Sequence, residues 1–139
     1  MVKTFSYMLA AAAFVGCSTV PPQYLDTNHT QTQTQLRQAQ SRTFDTTDRE
    51  RTLRSVIATL QDLSFVIDKA DPELGTVSAT KLDGYVMRMT VTVRQKGESQ
   101  LVVRANAQMN TVAITDPAPY QSFFIALERS IFLNTHAVD

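Results

Sequence analysis

Cysteine, glycine and tryptophan are scarce in this chain of 139 residues, which has one Cys, four Gly and no Trp. A single Cys excludes a disulfide framework and a Cys-rich metal site. Four Gly and five Pro are too few for a collagen-like or low-complexity chain. Net charge is lacking as well, since thirteen Lys plus Arg balance thirteen Asp plus Glu. No basic excess is therefore present to release counterions from a nucleic-acid backbone, and nucleic acid is not an expected partner. Charged residues at 19% and apolar residues at 43% suit one small domain with a modest core.

Catalytic patterns are missing too. The chain has no Gly-rich phosphate loop, no Gly-x-Ser-x-Gly turn and no His-Glu-x-x-His. Asp68, Asp71 and Glu73 lack the periodic oxygen ligands and supporting Gly of a calcium loop, and they read as turn chemistry. Asp62 and Asp68 fall on different predicted elements and make no acid/base pair. The two histidines, His29 and His136, lie far apart in sequence, neither beside a second metal-ligating residue. The expectation is a non-enzyme with no cofactor and no metal.

What is present begins at the N-terminus. Lys3 precedes Phe5 to Val15, an uncharged and largely apolar run of eleven residues. That is too short to cross a bilayer as a helix, which takes about 20 residues, but it suits the core of a secretory signal. Phe14-Val15-Gly16-Cys17-Ser18 follows. This resembles the lipobox of bacterial lipoproteins, with Gly16 and Cys17 at the cleavage and acylation positions and Phe14 where Leu is usual. The resemblance implies cleavage between Gly16 and Cys17, a diacylglycerol on the Cys17 sulfur, and sorting by Ser18 to the outer membrane with the protein facing the periplasm. Several acyl chains anchor a protein durably, because each buried CH₂ contributes roughly 0.8 kcal/mol.

Residues 18 to 41 hold six Gln, five Thr and a Pro-Pro pair, with Val20, Tyr24, Leu25 and Leu36 as their only sizeable apolar side chains. Such a composition buries too little surface to offset its conformational entropy. The expected organisation is a signal peptide over 1–16, a lipidated flexible tether over 17–41 and an α+β domain over 42–139. A polar edge strand or part of a helix is the other reading of the Thr-Gln run.

Within the domain, Arg42 to Asp45 reads as a short strand, and Thr47 with Glu50 as a capping box. Leu53, Val56, Ile57, Leu60 and Leu63 recur at helical spacing, with Arg49, Arg51, Arg54, Thr59 and Asp62 on the faces turned to water. Phe65 to Lys69 and Thr76 to Lys81 are strand candidates on either side of an Asp71-Pro72-Glu73-Leu74-Gly75 turn. Two longer strands follow. In both, the odd-numbered residues are apolar: Tyr85, Met87, Met89, Val91, Val93, then Leu101, Val103, Ala105, Ala107, Met109. Facing residues share a face of the sheet, so antiparallel pairing requires hairpin loops with an odd number of residues. Leu82-Asp83-Gly84 and Gln95-Lys96-Gly97 serve as three-residue loops. They place Ala79 opposite Met87, Val77 opposite Met89, Arg94 opposite Glu98, Thr92 opposite Gln100 and Arg88 opposite Arg104.

Two opposed arginines are unfavourable unless an anion or partner lies over them. Arg88, Thr90, Thr92, Arg104 and Asn106 are thus a candidate partner-binding face. The last helix is announced by Asp116 as N-cap and Pro117 at its first position. Tyr120, Phe123, Phe124, Leu127 and Ile131 line its core face, widened by Phe132 and Leu133.

The order of a short strand, helix, four-stranded meander and helix gives an α+β two-layer domain with both helices on one face of the sheet. The segment Leu60-Gln61-Asp62-Leu63-Ser64-Phe65-Val66-Ile67-Asp68-Lys69-Ala70-Asp71, continuing to Gly75-Thr76-Val77-Ser78, passes from a helix end directly into a strand, a turn and a second strand. In this it resembles the helix-grip domains of envelope lipoproteins such as the C lipoprotein of the outer-membrane β-barrel assembly machinery. The resemblance spans about residues 42 to 134, one domain where that lipoprotein has two. It implies an adaptor with a protein partner in an envelope assembly or transport complex. A lipid-anchored carrier or sensor of a small apolar ligand, held between helix and sheet, is the other function class. Met87, Met89, Phe123 and Phe124 are bulky enough to fill that space, whereas a cavity of several hundred Å³ there would favour the carrier.

Overall fold

Alternation of apolar and polar residues dictates the sheet, and the observed burial follows it. The computed structural model describes residues 27–136, with side chains described from residue 33 onward. The signal, cleavage, lipidation and sorting positions, Cys17 among them, lie outside the described residues. The elements are α1 (Thr27–Ala39), β1 (Ser41–Phe44), α2 (Arg49–Asp62), β2 (Val66–Asp71), β3 (Thr76–Leu82), β4 (Val86–Lys96), β5 (Gln100–Met109), β6 (Val112–Ala113) and α3 (Ala118–His136). The described residues form an α+β fold of three helices and a six-stranded antiparallel sheet in the order β1-β5-β4-β3-β2, with β6 also paired to β5.

Val77, Ala79, Met87, Met89, Val91, Val93, Leu101, Val103, Ala105 and Ala107 are all buried. These odd-numbered residues share one core with Leu53, Val56 and Leu60 of α2 and with Tyr120, Phe123, Phe124 and Leu127 of α3. Parity therefore holds in both hairpins, but their registers differ from the sequence expectation. The β3–β4 loop is Asp83-Gly84-Tyr85, one residue further along, so that Ala79 faces Met89 and Val77 faces Val91. The β4–β5 loop is Gly97-Glu98-Ser99, two residues further along. Thr92 consequently faces Arg104, Arg94 faces Val102 and Arg88 faces Gln108. A shift by whole pairs leaves every side chain on its own face, so the hydrophobic pattern does not oppose it. It also extends the ladder from Met87–Met109 to Lys96–Gln100, using the full length of both strands.

The helix ends show how local chemistry competes. Asp48, not Thr47, caps α2: its Oδ1 accepts the Arg51 backbone N–H at 2.9 Å. Thr46 Oγ1 in turn accepts the Asp48 N–H at 3.1 Å. Glu50 pairs with Arg54 instead of closing a capping box. At α3, Asp116 Oδ1 accepts the Ala118 N–H at 2.9 Å and the Gln121 N–H reaches the Pro117 carbonyl at 3.0 Å, the capping that Asp116-Pro117 announces.

Two expectations about exposure need correction. Thr59 is buried, with Thr52 and Ser55, and Ser55 meets α3 by accepting the Asn134 side-chain amide at 3.0 Å. Arg49 is partly buried, and its guanidinium donates to the Glu73 carbonyl at 2.6 Å across the β2–β3 turn. Over its last part the expected flexible tether gives way to the alternative reading, a helix through the Thr-Gln run. Residues 27–39 form α1, Leu36 packs on the core and Ala39 is buried, while Ser41 already belongs to β1. Ala39 and Leu36, three residues apart, place one narrow apolar stripe on the domain, enough to seat the last turns of a helix that is otherwise polar.

Candidate functional site

The even-numbered residues of β4 and β5 form the face of the sheet turned away from the helices. Cross-strand pairing sets Thr90 opposite Asn106, Thr92 opposite Arg104, and Arg94 opposite Val102. Of the five residues that the sequence groups together, Thr90, Thr92, Arg104 and Asn106 are adjacent on this face. Arg88 continues the row beside Thr90 but lies four residues along the ladder from the level of Arg104, roughly 14 Å at about 3.4 Å per residue. The direct Arg88–Arg104 opposition is therefore absent.

A different pair of arginines takes its place. Arg94 and Arg104 are diagonal neighbours across β4 and β5, a relationship that puts such positions about 7–8 Å apart. Together with Thr92, Val102 and Asn106 they line a concavity of about 550 Å³. Arg104 Nε lies 3.4 Å from Ser41 Oγ. Among the described residues, the ion pairs are Arg42–Glu128, Arg51–Asp48 and Arg54–Glu50, and none includes Arg88, Arg94 or Arg104. Lys96, at the end of the same face, donates to Thr43 Oγ1 at 3.1 Å. The chain's charge balance thus conceals a local excess of cations on this surface. Guanidinium groups present forked N–H donors that match carboxylate or phosphate oxygens two at a time.

No protein-family model matches the chain, and no curated protein matches it.

A second concavity lies on the opposite side of the sheet, where the end of α2 and the start of α3 meet β3 and β4. It measures about 300 Å³ and is open to solvent. Leu63, Phe65, Met87 and Met89 supply apolar wall, and Lys81, Asp116 and Ser122 supply polar groups. Lys81 breaks the pattern of its strand. It follows Val77 and Ala79 at the next odd-numbered position, faces Met87, and is partly buried with its Nζ 6.0 Å from the centre of the Phe65 ring. The signal for it in the sequence is this break of alternation, a charged residue at a position of core parity.

Among the described residues, no three His, Cys, Asp or Glu side chains are gathered closely enough to hold a metal ion. His136 is exposed, its ring packed edge-on against Phe132 with centroids 4.2 Å apart. No helix among the described residues is long and apolar enough to cross a membrane.

Proposed function

We propose that this chain is a non-catalytic lipoprotein of the outer membrane, anchored through Cys17 on the periplasmic side, whose domain belongs to the helix-grip type and acts as a binding module in an envelope assembly or transport complex. The observation that carries the binding role is the Arg94–Arg104 pair on the outer sheet face. Both arginines line one concavity of about 550 Å³, with no carboxylate paired to them among the described residues. Such a surface is complementary to an acidic segment of a partner protein, and Thr92 and Asn106 add neutral donors and acceptors beside it. The anchor rests on the lipobox-like Val15-Gly16-Cys17-Ser18.

Affinity purification from detergent-solubilised envelopes tests this. The wild-type chain recovers a component in fixed stoichiometry, and the double substitution Arg94→Ser with Arg104→Ser loses it while the melting temperature stays the same. Retention of that component by the double variant at equal stability would refute the role of this face.

The cleft between α3 and the sheet supports a second reading, a lipid-anchored carrier of a small ligand. At about 300 Å³ it stands at the lower limit of ordinary ligand sites.

A further inference from the structure

The cleft beneath the start of α3 has a chemistry that the carrier reading, taken as an apolar site, does not use. Its floor is Phe65, Met87 and Met89, each less than a tenth exposed, and methionines adapt their shape to what they contact. Lys81 is the one cation on its lining. Pairing fixes its direction: Lys81 stands opposite Met87 on the helix side of the sheet, between outward-facing Thr80 and Leu82. Its ammonium lies over the Phe65 ring, and no carboxylate pairs with it among the described residues. Asp116, also on the lining, is exposed and its Oδ1 is engaged by the Ala118 N–H. A lysine at a position of core parity, its stem partly buried and its ammonium without a carboxylate partner among the described residues, breaks the local pattern, and such breaks concentrate at binding sites.

We propose that this cleft binds a small amphipathic carboxylate, its apolar body against Phe65, Met87 and Met89 and its carboxylate on Lys81 Nζ, with the Ser122 hydroxyl within the same lining. The proposal rests on the carrier reading and makes it specific. A volume of about 300 Å³ equals roughly ten water volumes of about 30 Å³. A medium-chain fatty carboxylate is of that order, and a full-length phospholipid is not.

Titration of the full chain with decanoate below its micellar concentration, and with decanol as the neutral analogue, tests the assignment. Binding is followed by calorimetry and by chemical-shift changes of the Met87 and Met89 methyl groups. Decanoate binds the wild-type protein and binds Lys81→Met about tenfold more weakly, the scale of one lost charge-assisted hydrogen bond. Decanol affinity does not differ between the two proteins. Ala118→Phe, which fills the cleft from an exposed position on α3, abolishes both, and melting curves confirm that the variants fold. Equal binding of decanoate and decanol, unaffected by Lys81→Met, would overturn the carboxylate assignment while leaving a carrier. Failure of both ligands to bind would overturn the carrier reading with it.

Discussion

The Tyr120 hydroxyl accepts the backbone N–H of Ala107 at 3.2 Å and closes a gap in the sheet that no strand fills. β1 pairs with β5 only as far as Ser41–Arg104, and β6 pairs with it from Gln108–Ala113. Between them the phenol also donates to the Ile114 carbonyl at 2.7 Å and receives Gln40 Nε2 at 3.3 Å. Tyr120 is fully buried, so water does not replace it freely. One side chain of α3 thus substitutes for a stretch of strand and ties the helix to the sheet edge.

Tyr120→Phe keeps the ring and leaves the Ala107 N–H and Ile114 C=O without this partner. The expected loss is about 1–3 kcal/mol, the cost of unsatisfied buried polar groups. Urea denaturation checks it, with a lower midpoint at an unchanged slope. A loss below about 0.5 kcal/mol would mean that the edge closes without the hydroxyl.

Gly75 and Gly97 both adopt positive φ, +68° and +63°, yet substitution should separate them. A Cβ at Gly97 meets nothing within 4 Å, so Gly97→Ala costs only the left-handed backbone strain of about 1–2 kcal/mol. At Gly75 it would lie 2.5 Å from the Val93 carbonyl oxygen and 2.6 Å from Arg49 Nη2. The Gly75 carbonyl also accepts the Val93 N–H at 2.8 Å, so the turn has no room to retreat without breaking that bond. Gly75→Ala is expected to cost about 3 kcal/mol or more, and chemical denaturation of the two variants in parallel provides the comparison. Equal losses would show that backbone strain alone decides.

Much of this fold is legible in the residues themselves. The α2 stripe Leu53, Val56 and Leu60, the odd-numbered alternation of β3 to β5 and the aromatic face of α3 each bury what their periodicity selects. Pairing register is less legible, because sliding β4 against β5 by whole pairs changes no side chain's face. That is why Arg94 rather than Arg88 became the neighbour of Arg104. The helix reading of the Thr-Gln run is the weaker one by composition because, among the described side chains of α1, Leu36 and Ala39 alone reach the core, and β6 escapes notice because Val112–Ala113 is two residues long and both are exposed. The outer face of the sheet could be located from parity, whereas the Lys81 cleft needed the arrangement of four separate elements.

Ser64 ends α2 in a conformation that glycine adopts without strain. Its φ is +68°, and the N–H of Phe65 bonds to the Leu60 carbonyl while that of Ser64 bonds to Gln61, closing the helix C-terminus. A non-glycine residue there costs roughly 1–2 kcal/mol, partly offset in Ser64→Gly by the greater freedom of the unfolded chain. The net expectation is a gain of about 0.5–1 kcal/mol. Because Leu63 and Phe65 on either side line the cleft, decanoate titration of the same variant reports whether the cleft keeps its shape. A loss of stability would mean that the Ser64 side chain contributes more than its backbone strain costs.

Thr59 offers the opposite kind of test, a polar group whose removal should help. It is only 1% exposed, and its hydroxyl has no hydrogen-bond partner. Its neighbours on the same side of α2 are satisfied: Thr52 Oγ1 donates to the Asp48 carbonyl at 2.9 Å and Ser55 Oγ receives Asn134 Nδ2 at 3.0 Å. Thr59→Val preserves the branched shape and removes the buried hydroxyl, so it is expected to stabilise the domain by about 1 kcal/mol. Ser55→Ala, which removes the hydrogen bond from the Asn134 amide, should destabilise it by about 0.5–1.5 kcal/mol. Thermal melts of both variants decide the matter, because only a difference in hydrogen-bonding state predicts shifts of opposite sign at two positions on one helix face. A lower melting temperature for Thr59→Val would show that the hydroxyl is satisfied in solution.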